Sequence, residues 1–211
     1  FQDSGLSAAA LHRARSPWRG MRTEVIGGQL LDISLEAAGS ESVELANSVN
    51  RYKTAAYTIE RPLHLGAAIA GASEELIAAF RGYGHDIGIA YQLRDDQLGV
   101  FGDPAVTGKP AGDDLREGKR TELLALALQR ADESDPHAAA TLRKLIGHTS
   151  DPQELSRLAQ IIADSGAPEE IERRIDALTQ SGLQHLHAAK VDPTVTETLE
   201  QLAIKATARR K

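Results

Sequence analysis

Apolar residues recur three and four positions apart along nearly the whole chain, and each run stops at a proline or glycine beside a capping side chain. That pattern leaves little room for a sheet and dictates helices. Four stops in the second half, "DESDP", "HTSDP", "SGAPEE" and "KVDP", each set a cap residue near a proline, as helix beginnings do. Upstream, residues 18–38 place Met21, Val25, Leu31 and Leu35 at mostly i, i+4 spacings, predicting a helix with that stripe buried. Residues 42–60 read as a helix capped by Ser42, with Leu45, Val49 and Tyr52 on one face. Pro62 breaks or kinks it, and a short apolar helix follows through residue 72. A long helix is predicted from Ser73 to about Phe101, where Gly84 and Gly88 would let another helix approach closely. Residues 102–119 read as the one long loop. Aromatic residues make up only 4% of the chain while Ala and Leu abound, which favours helices over a β-sandwich. No repeat or linker divides residues 1–211, so the expectation is a single all-α domain.

Charge and chemistry narrow the possible functions. A net charge of −6 argues against nucleic-acid binding, which needs a basic face, but leaves room for a small anionic substrate. No apolar run approaches the length of a membrane-spanning helix. The absence of cysteine removes disulfides, thiolate metal ligands and a thiol nucleophile, and it fits a reducing, cytoplasmic location. The seven histidines, His12, His64, His85, His137, His148, His185 and His187, show no metal-ligand spacing.

The exception to these ordinary features is "YQLRDDQLGVFGDPAVTGKPAGDDLREGK", residues 91–119. Gln92, Asp95, Asp96 and Gly99 fall at i, i+3, i+4 and i+7 and share one helix face. Adjacent carboxylates at a helix C-terminus repel each other and meet the negative end of the helix dipole, and a cation relieves both conflicts. A solvated acidic helix end is the plain alternative for such a doublet. Lys109, Asp114 and Lys119 follow closely, however, and add the charges that a diphosphate–magnesium assembly requires.

This stretch resembles the second aspartate-rich region of the trans-polyprenyl diphosphate synthase family, whose usual form is F/Y-Q-x-x-D-D-x-x-D, then G-D, G-K and D-[LI]-x-x-x-K. One position departs, because Gly99 stands where a third aspartate is usual. "KTAAYT", residues 53–58, is similar to the family's Lys-Thr motif, and "EVIGGQLLDI", residues 24–33, to its G-Q-x-x-D helix. The resemblance implies an isoprenoid synthase-type helical bundle around a central cavity. It also implies joining of an allylic diphosphate to isopentenyl diphosphate, with release of pyrophosphate and a product of farnesyl or geranylgeranyl length or longer.

By that resemblance Asp95 is the main magnesium ligand, and Asp96 and Asp114 act beside it or through metal-bound water. Lys53, Lys109 and Lys119 surround the diphosphate. Thr54 and Gln92 line the pocket beside the reacting carbons, Gln29 and Asp32 face the same cavity, and Tyr57 steadies the developing cation. The departing pyrophosphate takes the final proton, so no histidine base is needed. A homodimer is implied too, with the apolar helices at 18–38 and 61–72 as candidate surfaces. The family's first aspartate-rich motif is absent from this sequence, and the start at Phe1 leads to the expectation that an N-terminal part is missing. Two other readings remain open at this point: a non-catalytic regulatory subunit of a heteromeric synthase, and a class I terpene cyclase.

Overall fold

The structure, a computed structural model, describes residues 1, 3–108 and 111–208. Among these residues every regular element is helical. In chain order they are α1 (Ala8–Ala38), α2 (Val43–Val49), the π-helix π1 (Asn50–Glu60), α3 (Arg61–Ala70), α4 (Glu74–Phe101), α5 (Pro104–Thr107) and α6 (Asp113–Glu117). The rest are α7 (Glu122–Ser134), α8 (Pro136–Leu145), α9 (Pro152–Asp164), α10 (Ala167–Ala188) and α11 (Pro193–Thr207). The starts predicted at Ser73 and at the three Asp-Pro sites are where the sequence put them. Asp135, Asp151 and Asp192 each accept a backbone N–H with Pro at the first helical position, and Ser73 caps α4.

α4 is the axis of the bundle. It packs on π1 along one side and on α10 along another, and Ile87, Leu93 and Val100 are buried in it. The main apolar cluster joins its lower half to Leu123, Leu128, Leu158, Ile162, Ile171 and Ile175 from α7, α9 and α10. Burial of such side chains contributes roughly 1.5–3 kcal/mol each. Buried polar groups on α4 fix the angle of its neighbours. The Arg94 guanidinium forks onto both oxygens of Glu172 on α10, at 2.5 and 2.6 Å, and donates to the Thr207 carbonyl on α11. The Tyr83 hydroxyl donates to the Leu199 carbonyl, also on α11.

Four expectations are corrected. The first helix begins at Ala8 rather than at 18: Ser7 caps it and Pro17 is carried inside. Arg13 secures this early turn by donating to the carbonyls of Ala68 and Ile69 at the end of α3. Of the predicted stripe only Leu35 is fully buried, while Ile26 (70%) and Leu30 (66%) stay exposed, because α1 meets its neighbours through small residues. Leu45 and Tyr52 are likewise largely exposed. The segment 102–119 is not one loop, since α5 and α6 lie within it, the latter nucleated by Gly112 in the left-handed region.

Candidate active site

The Lys-Thr segment lies inside π1, whose wider turn is uncommon and concentrates at functional sites. Glycines hold it from two sides. A Cβ on Gly88 or Gly84 of α4 would come within 2.5 Å of the backbone of Ala55 or Glu60, so π1 lies directly on α4. On the other side a Cβ on Gly28 of α1 would stand 2.5 Å from the Lys53 amide nitrogen. Any side chain at these positions would push the three helices apart.

That clamp sets Thr54 opposite Gln92. The Thr54 hydroxyl donates to Gln92 Oε1 at 2.8 Å, and Gln92 Nε2 donates to Asp96 Oδ1 at 2.7 Å. Lys53 pairs with Asp32 of α1, and Lys119 pairs with Asp114 of α6 at 2.5 Å. These side chains line a cleft of about 200 Å³, together with Asp95 and with Val49, Asn50, Arg120 and Thr121. A larger groove of about 1040 Å³ lies against the opposite face of α4, lined by Arg94, Phe101 and Ile175 among others. None of Asp32, Lys53, Thr54, Gln92, Asp95, Asp96, Asp114 and Lys119 lines it; all line the smaller cleft.

The cleft concentrates buried carboxylates. Asp96 is only 4% exposed, and its Oδ2 has no hydrogen bond. Burial pushes its carboxyl up to about 8; the nearby charges of Asp114 and Asp95 add to this, and the hydrogen bond from Gln92 opposes it. Burial works against the Lys119 ammonium, but its bond to Asp114 outweighs that and holds it above the ordinary lysine value. Asp95 is half-buried and makes no hydrogen bond or ion pair among the described residues. Among those residues no three carboxylate or imidazole groups converge closely enough to cage an ion by themselves. Magnesium does not need such a cage, because it binds through one or two carboxylates, keeps waters and bridges to phosphates. The orphaned Asp96 oxygen beside Asp95 and Asp114 fits that habit.

Not every predicted residue arrives. Gln29 is exposed and does not line the cleft; its neighbour Gly28 is the one that faces π1. Tyr57 is 50% exposed and also lies off the cleft. Lys109 lies outside the described residues. Asn50 and Arg120 were missed, for neither belongs to a recognised motif.

The sequence model of the polyprenyl synthetase family matches residues 16–164. The chain belongs to that family. It is 40% identical over 129 residues to the geranylfarnesyl diphosphate synthase of Aeropyrum pernix, covering 60% of this chain and 40% of that protein. It is also 40% identical over 113 residues to the geranylgeranyl diphosphate synthase of Mycobacterium tuberculosis, covering 54% of this chain and 32% of that one. The chain therefore spans well under half the length of these curated relatives. Among solved structures, the Corynebacterium glutamicum geranylgeranyl pyrophosphate synthase, complexed with isoprenyl diphosphate and magnesium, superposes with a TM-score of 0.97. It is 64% identical, over 99% of this chain and 58% of that one.

In this chain the Asp114 carboxylate lies against the unusual Gly99. A Cβ there would fall inside the Asp114 carboxylate, so that carboxylate fills the space a side chain at 99 would need. Gly99→Asp, although it restores the commoner motif, is therefore expected to destabilise the fold by about 1–3 kcal/mol through overpacking. Asp114→Gly in the same chain should recover part of that loss, which thermal melts of the two single variants and the double variant would measure. A Gly99→Asp melt equal to that of the parent would refute the clash.

Proposed function

We propose that the protein is a trans-prenyltransferase that joins an allylic diphosphate to isopentenyl diphosphate and releases pyrophosphate. The observation that carries this reading is the convergence, in one cleft, of Asp32 from α1, Lys53 and Thr54 from π1, Gln92, Asp95 and Asp96 from α4, and Asp114 and Lys119 from the α6 region. Family membership and the magnesium in the Corynebacterium relative support magnesium as cofactor, held by Asp95 with Asp96 and Asp114. When bound, the metal supplies Lewis-acid stabilisation of the charge that develops on the leaving diphosphate.

The chain's own residues do the rest. Lys53 and Lys119 neutralise diphosphate oxygens as compact cations, exchanging their present carboxylate partners for phosphate. The allylic C–O bond breaks and its electron pair leaves on pyrophosphate. The isopentenyl double bond then attacks the allylic carbon to form the new C–C bond, and pyrophosphate removes the proton that restores a double bond. Thr54 and Gln92, fixed to each other at 2.8 Å, hold the wall beside the reacting carbons and exclude water from the cation. Ile26, Leu30 and Ile33, at i, i+4 and i+7 on the exposed face of α1, support pairing of two copies through that helix, which light scattering of the intact protein would test. A cytoplasmic location goes with this reading, which the cysteine-free composition supports.

The deciding experiment incubates the intact protein with labelled isopentenyl diphosphate, magnesium and several allylic diphosphates, and sizes the extractable product. A labelled prenyl diphosphate longer than the primer is the expected result. Free pyrophosphate with only a cyclised or hydrolysed primer would overturn it.

A further inference from the structure

Five buried side-chain polar atoms among the described residues lack a hydrogen bond, and three of them belong to residues lining the acidic cleft: Asp96 Oδ2, Asn50 Nδ2 and Arg120 Nε. The acceptor suits a cation. The two donors do not, and buried donors without partners are costly to keep. Asn50 opens π1 and is only 5% exposed, so solvent does not satisfy it. Arg120 stands on the short link between α6 and α7, immediately before the Thr121 cap, and a Cβ added at Gly39, at the end of α1, would stand 3.6 Å from its Nη2. Its side chain lines the cleft with Asp95, Asp96 and Lys119.

The cations of the cleft differ in their availability. Lys53 is engaged by Asp32, and Lys119 by Asp114 and, at 3.5 Å, by Glu117. Arg120 makes no ion pair or hydrogen bond among the described residues. We propose that Arg120, with the Asn50 amide, forms a preset contact for the substrate diphosphate, one that captures the anion before the lysines exchange partners. The guanidinium fork suits bidentate contact with phosphate oxygens, whereas a lysine meets them as a point charge. This deepens the reading of the cleft as a diphosphate site and rests on it. It adds two binding residues that carry no motif, and it puts their effect on capture rather than on bond breaking.

The test is calorimetric binding of inorganic pyrophosphate, with magnesium, to the intact protein. Arg120→Gln is expected to weaken Kd by about tenfold or more, the loss of one charged contact, and Arg120→Lys to recover part of it. Asn50→Asp keeps the shape but turns a donor into an acceptor, and should weaken binding comparably. Melting temperatures close to the parent's would separate these effects from folding; if Arg120→Gln fails to fold, Arg120→Lys and Asn50→Asp carry the same comparison. Parent-like affinity in the Arg120 and Asn50 variants, with Lys53→Ala weakened, overturns this inference alone. Parent-like affinity in Lys53→Ala as well would overturn the diphosphate reading of the cleft itself.

Discussion

Asp95→Ala should lower turnover of the intact protein by about 10²–10³-fold or more while leaving its melting temperature unchanged or slightly raised. The two halves of that expectation have different origins. Turnover falls because Asp95 is the half-buried carboxylate of the cleft with no hydrogen bond or ion pair among the described residues, which leaves it available to a metal. Stability holds because the side chain does nothing for the apo fold. It sits near the C-terminal end of α4, where the helix dipole disfavours an anion, and its charge is among those that push the neighbouring Asp96 carboxyl up. Lys119→Ala should cost less turnover, since Lys53 shares the task of neutralising the diphosphate. Steady-state rates and thermal melts on the same preparations check both halves. Turnover within a few-fold of the parent in Asp95→Ala would remove the carboxylate from the mechanism. A large fall in melting temperature would instead make it a structural residue.

Much of this site was legible in the sequence, because its main members sit at spacings that an α-helix turns into a face. Gln92, Asp95 and Asp96 could be placed together from period alone, and α4 delivers them together. The Asp-Pro and Ser caps fixed helix beginnings for the same local reason. Legibility failed where the geometry was not local. Tyr57 was assigned to the cavity by resemblance, but its side chain is half exposed and lies off the cleft. Gln29 was taken as the cavity residue of its motif, whereas the close approach of α1 to π1 is made by Gly28, a contact that exists only once both helices are packed. Asn50 and Arg120 are 70 residues apart in number and ordinary in type, and only the fold brings their unpartnered donors to the same cleft. Gly99 belongs with them. As a motif position it looked like a lost carboxylate, and in three dimensions the Asp114 carboxylate stands in that space.

Asp96→Asn should stabilise the metal-free protein at neutral and mildly alkaline pH while weakening its hold on divalent cations. The Asp96 carboxyl is pushed up to about 8 from an ordinary value of 3.8, chiefly by burial. Below about pH 4 the folded and unfolded chains both keep this proton, and the group costs nothing. Between about 4 and 8 the unfolded chain releases it while the folded chain retains it, so stability falls as pH rises, by at most about 1.4 kcal/mol per pH unit. Above about 8 both forms are ionised and the full cost remains. In the amide variant the bond from Gln92 can still be accepted and no buried charge develops, so the melting temperature should lose this part of its pH slope. For a chain of this size about 1 kcal/mol corresponds to roughly 2–4 °C, so the effect is measurable within one pH unit. Magnesium should act in the opposite sense on the parent, raising its melting temperature most above pH 8, where Asp96 is ionised and its Oδ2 is ready to accept a metal or a metal-bound water. The variant should show a smaller magnesium shift. Parallel pH–melting curves for parent and variant would show that burial of Asp96 does not cost the fold stability. An equal magnesium shift in both would show that Asp96 takes no part in holding the ion.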